Sequence, residues 1–454
     1  MSNHLSSRRD FVKLAAASSC VPFLSQSAWG AVMETEAERT RWYRDAKFGM
    51  FMHWGPYSLA SVEASWPIMR PKPGGITQAE YEALPQRFNP TLYDPEAFVD
   101  LARAAGQKYM VFTTKHHDGF CMFDSQYTSY KITNAPYGKD IVKMLAEACH
   151  KDGMPLGFYY SPPDMHNPNF RDTSKPASEN WQGQPERPEW PLYLEYLQLQ
   201  VTELLTRYGP AALIWFDGLN DQAKYDGQRV VSMIHGLQPE TLVNDRIGVP
   251  GDYETPEQFI PTRIPTKGVK ISGVNASASE RLQNGVPAPQ DFQLWETCMT
   301  INNTWAYNKN DLAFKSSGKL IRSLVEVASR GGNFLLNVGP EPTGQIQPEF
   351  QQRLRAIGDW LTMNGDAIYG TTYGPVQGIA EYRTTAKDKS IYVHVFDWKG
   401  QSVTLPDFDG KVISARLLAD GKPLAVRQSE RQVEITLPAQ APDANVSVIA
   451  IETY

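Results

Sequence analysis

The 454-residue sequence predicts an α/β protein, a (β/α)8-like barrel over residues 35–367 followed by an antiparallel β-sandwich over residues 370–454. Three observations carry that prediction. From about residue 45 to 340, short apolar runs alternate with longer amphipathic ones, the pattern of repeated βα units around a parallel sheet. After the helix expected to end near Ala367, the pattern changes to short alternating segments broken by Gly, Pro and Asp, as in antiparallel strands. The length exceeds one typical domain and suits a large barrel with a smaller companion.

Along the chain, residues 1–30 read as an address rather than as part of the fold. Ser7-Arg8-Arg9-Asp10-Phe11-Val12-Lys13 is a twin-arginine pattern, backed by an apolar run from Leu14 to Leu24 and small residues around Ala28-Trp29-Gly30. Export to the periplasm is the expectation. Cys20 loosely resembles a lipid-attachment cysteine, although the residue three before it, Ala17, is not Leu. The remaining cysteines, Cys121, Cys149 and Cys298, lack metal-ligand spacing and are expected to be small buried hydrophobes. No later segment is long and apolar enough to span a bilayer.

Barrel strands are expected near 48–53, 108–114, 155–160, 212–216, 241–244, 293–297 and 333–338, with helices near 95–105, 140–151, 193–208 and 319–329. In the last helix, Leu320, Ile321, Leu324, Val325 and Ala328 share one face, and Gly331-Gly332 closes it. Seven such units leave one strand missing or degenerate. Sandwich strands are expected near 390–396, 403–405, 412–418, 432–437 and 446–451. A formal charge of −6 with no Lys/Arg run excludes an extended nucleic-acid surface. The 11 Trp, 21 Tyr and 19 Phe supply flat faces suited to sugar rings, though most aromatics are core.

Active sites of parallel barrels lie at the C-terminal ends of the strands, so the polar residues that close apolar runs are the candidates. Leu213-Ile214-Trp215-Phe216 runs into Asp217-Gly218; taken alone, that Asp serves equally well as a turn cap. Other such endings are His53-Trp54-Gly55, Lys115-His116-His117-Asp118, Tyr159-Tyr160-Ser161 and Asn244-Asp245-Arg246. Successive strand residues face opposite ways, so His116 and His117 would share one metal ion only if the strand has already ended. Acids follow in the loop Gly251 to Gln258, which holds Glu254 and Glu257, and in Trp295-Glu296-Thr297-Cys298. A retaining glycosidase needs two carboxyls about 5–5.5 Å apart, one ionised and one protonated. Asp217 with Glu257 or Glu296 can supply that pair, with Arg246 and the histidines keeping Asp217 charged.

The ordered set Phe-Gly-Met-Phe-Met-His-Trp-Gly, Thr-Thr-Lys-His-His-Asp-Gly-Phe, Trp-Phe-Asp-Gly, Asn-Asp-Arg and Trp-Glu-Thr-Cys resembles the α-L-fucosidases of glycoside hydrolase family 29, from about residue 40 to 340. The resemblance implies a retaining exo-hydrolase that removes terminal α-L-fucosyl groups from an oligosaccharide or glycoconjugate by double displacement, with no metal and no organic cofactor. It puts Asp217 at the nucleophile position and implies a fucose pocket of His53, His116, His117, Tyr159 and Arg246, with Trp66 and Trp215 beside them. Trp305 is the aromatic expected near the fucose methyl group. Where relatives carry Glu before the early-loop Trp, this chain has Ser65 before Trp66, so that contact is missing or supplied by Glu63. The general acid is not at a fixed position in the family: Glu257 is favoured, Glu296 is the alternative and Glu254 ranks third. Two other readings stand beside this one, a fucose-binding protein without turnover and a metal-dependent hydrolase built on His116, His117 and Asp118.

Overall fold

The computed structural model describes residues 38–218, 222–274, 276–399 and 401–454; the twin-arginine pattern and Cys20 lie outside them. Of the residues before Tyr43, those from 38 to 42 are described and lead into a short helix, Arg41–Ala46. Seven parallel strands form one sheet: β1 (Phe48–Met52), β2 (Tyr109–Lys115), β3 (Leu156–Tyr160), β4 (Leu213–Phe216), β5 (Leu242–Val243), β6 (Glu296–Thr300) and β7 (Asn333–Val338). Their order is β5-β4-β3-β2-β1-β7-β6. All residues of β1 to β5 and of β7 are buried, as expected when one sheet face packs inside the barrel and the other under helices.

The outer layer comprises α1 (Pro95–Ala104), α2 (Ile141–Asp152), α3 (Trp190–Arg207), α4 (Gly227–Leu237), α5 (Ser317–Ala328) and α6 (Pro348–Asn364). Their ends follow from local chemistry. Asp94 accepts from the backbone N–H groups of Glu96 and Ala97 at the start of α1, and Asp140 accepts from Lys143 at the start of α2. Gly153 ends α2 with φ 69°, a left-handed conformation that a side chain would strain. In α5, Ser316 caps the first turn, and Leu320, Ile321, Leu324, Val325, Val327 and Ala328 are buried together.

The degenerate unit lies between β5 and β6. There the chain from residue 252 to 258 stands in for a strand: the Asp252 N–H donates to the Val243 carbonyl at 2.7 Å. Isolated parallel bridges then join Tyr253 to Asn244, Glu254 to Trp295 and Glu257 to Cys298. Gly251 permits the close approach, since a Cβ there would sit 2.3 Å from the backbone carbon of Asn244. Glu257 is thus carried on the irregular closure of the barrel.

The sixth strand corrects the sequence reading. It was expected near 293–297, but β6 runs from Glu296 to Thr300 and pairs Glu296 with Asn333 and Thr300 with Asn337. Residues 294 and 296 hydrogen-bond instead to Glu254 of the substitute strand. Leu294-Trp295 and Cys298-Met299 are equally apolar, so local pattern does not choose between the two registers. The consequence is that Glu296 opens its strand instead of closing it.

Beyond the barrel lie eight antiparallel strands: β8 (Thr372–Tyr373), β9 (Tyr382–Lys387), β10 (Ser390–Val395), β11 (Ser402–Pro406), β12 (Val412–Leu417), β13 (Val426–Gln428), β14 (Gln432–Thr436) and β15 (Ser447–Thr453). They form a five-stranded sheet, β12-β15-β10-β9-β8, and a three-stranded one, β11-β14-β13. Strand alternation divides their side chains between two cores: Tyr392, Val448 and Ala450 join the barrel's core, while Val393, Ile449 and Ile451 pack with Leu405, Val433 and Ile435. Cys121, Cys149 and Cys298 are buried and unpaired, as expected. Among the described residues no helix is long and apolar enough to cross a membrane.

Candidate active site

At the C-terminal ends of the strands lies a cavity of about 390 Å³ lined by Phe51, His53, Trp66, Arg70, His116, Trp181, Trp215, Asp217, Gly218, Arg246, Glu257, Gly273, Val274, Cys298 and Trp305. Asp217 follows β4 directly, and among the described residues three groups contact its carboxylate. Tyr159 of β3 donates to Oδ2 at 2.8 Å, Arg246 Nη1 donates to Oδ1 at 2.9 Å, and His117 Nε2 lies 3.5 Å from Oδ2. Burial pushes the Asp217 carboxyl up, but His117, Arg246 and Tyr159 outweigh it and hold it below its ordinary value.

Arg246 organises both acids. It sits in the 3-10 turn Asp245–Ile247 after β5, where Thr255 accepts from its Nε through Oγ1 at 2.7 Å and from its Nη2 through the backbone carbonyl at 2.9 Å. Its Nη1 also donates to Glu257 Oε2 at 2.9 Å. The two carboxylate oxygens on that nitrogen are therefore at most twice 2.9 Å apart. Glu257 is pushed up by burial and by the charge of Asp217, against the pull of Arg246. Two carboxyls in one cavity, biased in opposite directions, form the arrangement that divides nucleophile from acid.

Near neutral pH the histidines are neutral, so Arg246 and Tyr159 keep Asp217 ionised there, and the attraction of His117 enters only once that ring protonates near 4. Burial lowers His53 and His117 to about 4, and burial with the neighbouring rings lowers His116 well below the ordinary value. Asn337 of β7 donates through Nδ2 to the Trp305 carbonyl at 2.7 Å, so its Oδ1, 2.7 Å from His53 Nδ1, is an acceptor. The His53 proton therefore resides on Nδ1, leaving Nε2 as an acceptor. Ser161 donates its hydroxyl to the Pro163 carbonyl and accepts from His117 Nδ1 at 2.6 Å, which fixes the same tautomer. Acceptor nitrogens of this kind suit sugar hydroxyls.

Several residues sit differently from the sequence expectation. β2 ends at Lys115, so strand alternation does not separate His116 from His117, and their rings lie 4.2 Å apart. Asp118 turns away from them, accepting from Tyr81 at 2.7 Å and from the Phe120 N–H at 3.1 Å. The acid grouped with the two histidines is Asp217, with one ligand-type atom from each residue inside 4.8 Å. Tyr159 is wholly buried, and its ring lies 5.6 Å from those of His116 and Trp215. It reaches the cavity through Asp217 instead of lining it.

Glu296 is separated from the cavity by Trp215, which donates through Nε1 to Glu296 Oε1 at 2.9 Å and carries the Arg246 guanidinium 4.7 Å from its ring. Tyr109 donates to the other Glu296 oxygen, and burial raises this carboxyl to about 7. It is a buried brace beneath the floor. Glu254 is also off the cavity and accepts from the Ile271 N–H at 2.5 Å. Glu63 accepts from the Trp305 N–H at 2.9 and 3.1 Å, fixing the Trp305 loop, while Ser65 Oγ lies 2.6 Å from His116 Nδ1 and accepts from the Asp118 N–H. Phe51, Asn337, Arg70, Trp181 and Val274 were not singled out from the sequence, and Cys298 was expected only as a small buried hydrophobe. An amide inside the apolar run of β7 was the legible signal for Asn337.

A sequence profile of the α-L-fucosidase family matches residues 22–366. Relatives include an α-L-fucosidase of Branchiostoma floridae, 30% identical with 79% of each chain covered, and one of Dictyostelium discoideum, 26% identical with 91% of this chain and 90% of that one covered. Among solved structures, α-L-fucosidase isoenzyme 1 from Paenibacillus thiaminolyticus superposes with a TM-score of 0.81 at 34% identity, covering 92% of this chain and 99% of that one. A family 29 α-L-fucosidase of Bacteroides thetaiotaomicron, solved as a trapped covalent intermediate in complex with 2-fluoro-fucosyl fluoride, superposes with a TM-score of 0.77 at 26% identity, with 92% and 96% covered. With a barrel whose strand ends gather these acids and histidines, and a profile match over most of its length, the chain belongs to the α-L-fucosidase family of glycoside hydrolases.

Proposed function

We propose that the protein hydrolyses terminal α-L-fucosyl linkages of glycans with retention of configuration, Asp217 acting as nucleophile and Glu257 as general acid and base. The observation that carries the assignment is the single Arg246 nitrogen shared by the two carboxylates, whose bonded oxygens are at most twice 2.9 Å apart, a bound that admits the roughly 5–5.5 Å of retaining pairs. In the first step Asp217 bonds to the anomeric carbon while the bond to the leaving oxygen breaks, and Glu257 gives that oxygen its proton. In the second step Glu257, now a carboxylate, takes a proton from water as the water oxygen displaces Asp217 and releases fucose.

The sugar is held by the acceptor nitrogens of His53 and His117, by His116, and by the flanks of Trp66, Trp215 and Trp305. His53 and Trp305 are adjacent, with ring centroids 4.9 Å apart, which places an apolar face beside a hydrogen-bonding one, as a 6-deoxy sugar requires. The trapped intermediate of the Bacteroides relative supports a covalent route. Replacing Asp217 by Gly tests the reading: turnover of an aryl α-L-fucoside falls by several orders of magnitude, and azide restores it by entering the space of the lost carboxylate. Unchanged turnover without azide would remove Asp217 from the role. EDTA leaves the wild-type rate unaltered on this account; loss of activity restored by a divalent ion would favour the cluster of His116, His117 and Asp217 as a metal site.

A further inference from the structure

The mouth of the cavity is built differently from its floor. His53, His116, Trp215 and Arg246 are buried, whereas Arg70 is exposed and Trp181 half-buried. An exo-acting site takes its terminal sugar at the closed end, so the leaving part of the substrate extends past Glu257 toward these outer residues.

Arg70 follows the short helix Trp66–Met69, and Trp181 follows the short helix Ala177–Asn180 in the long loop after β3. The Arg70 guanidinium carbon lies 4.9 Å from the Trp66 ring centroid and 5.4 Å from that of Trp181. Of the two guanidiniums lining the cavity, Arg246 is matched to Asp217 and Glu257, while Arg70 meets no carboxylate among the described residues. Aromatic rings attract a guanidinium over their faces and leave its N–H donors, which lie in the guanidinium plane, free to bind a planar or tetrahedral anion in bidentate fashion. The half-buried Trp181 indole adds apolar surface to the cavity wall next to that donor edge.

We infer that Arg70 and Trp181, beside the Trp66 ring that borders the fucose pocket, form the subsite for the leaving sugar, and that this subsite selects a sugar carrying an anionic substituent, a carboxylate or a sulfate ester. The inference rests on the assignment of Asp217 and Glu257 as the reacting pair. It is tested with three α-L-fucosyl disaccharides that share one leaving-sugar framework: the neutral hexose, the corresponding uronic acid and the sulfated hexose. The readout is the ratio of kcat/KM for each charged substrate to that for the neutral one, measured within each variant so that general losses cancel. Wild type shows a ratio of about 10 for at least one charged substrate, the size expected of a charge-assisted hydrogen bond, and high salt shrinks it. The substrate that shows it identifies the anion. Arg70→Ala brings the ratio to about one, and Arg70→Lys recovers only part of it because an ammonium lacks the planar fork.

A wild-type ratio near one for both charged substrates, or a preference that survives Arg70→Ala, would overturn the subsite while leaving the fucosidase assignment standing. Absence of turnover on 4-nitrophenyl α-L-fucoside as well would overturn the reacting pair, and the subsite with it.

Discussion

Asp217 and Glu257 carry the same functional group and bond to the same guanidinium nitrogen, yet their protonation is biased in opposite directions. The difference lies in what else each touches. Asp217 has the Tyr159 hydroxyl and His117 beside it, whereas Glu257 faces burial and the charge of its partner. Catalysis as proposed needs Asp217 ionised and Glu257 protonated. Activity therefore rises with pH through the lowered Asp217 value and falls through the raised Glu257 value, giving a bell-shaped kcat/KM profile. Glu257→Gln cannot ionise, so its profile loses the alkaline limb while the rate drops about 10²–10⁴-fold. Tyr159→Phe removes one donor from Asp217, shifts the acid limb upward and costs roughly 1.5–3 kcal/mol of the interaction with the charged form. The candidates Asp217, His53, His116, His117 and Arg246 were legible because each closes an apolar run. Their bonding partners were not: Ser65, Ser161 and Asn337 are ordinary polar residues until the fold sets them against an imidazole.

Among the elements, β6 shows how a three-residue shift of register changes the reading of a residue. Placed at a strand end, Glu296 competes with Glu257 as the acid; placed at the first position of β6, it is a buried carboxyl under Trp215. Apolar pattern fixes that a strand exists near residue 296, whereas pairing with Asn333 and with the substitute strand at Glu254 fixes where it begins. β9 was missed for a related reason, since Tyr-Arg-Thr-Thr-Ala-Lys has few apolar residues to show a period. The buried Glu296 makes a stability prediction. Its folded value near 7 exceeds the ordinary 4.5, so the folded protein binds the proton more tightly, and stability falls as pH rises from about 4.5 to 7. Glu296→Gln removes that component of the pH dependence, so its Tm varies less than that of wild type across this window while the kcat/KM profile keeps both limbs. A lost alkaline limb in Glu296→Gln would reinstate Glu296 as the acid.

In the molecule as a whole, the sequence pattern made the barrel and the sandwich legible, but not the way one sheet serves two cores. The Trp360 indole donates to the Val446 carbonyl at 2.9 Å, Arg322 donates to the Phe396 carbonyl at 2.9 Å, and Thr385 donates to the Ala367 carbonyl at 2.7 Å. With Tyr392, Val448 and Ala450 in the barrel's core, a chain ending at residue 367 leaves part of that core uncovered and is expected to be insoluble. A soluble truncated chain with the full-length Tm would contradict this. We propose export by the twin-arginine route on the strength of the sequence pattern alone; on that reading, replacing Arg8 and Arg9 by Lys retains the protein in the cytoplasm, read by cell fractionation. The account as a whole depends on Asp217 forming the glycosyl bond. Incubation with 2-fluoro-fucosyl fluoride, followed by peptide mapping, measures that directly: the account predicts one fluorofucosyl group on Asp217, and a label on another carboxylate, or turnover with no trapped ester, would contradict it.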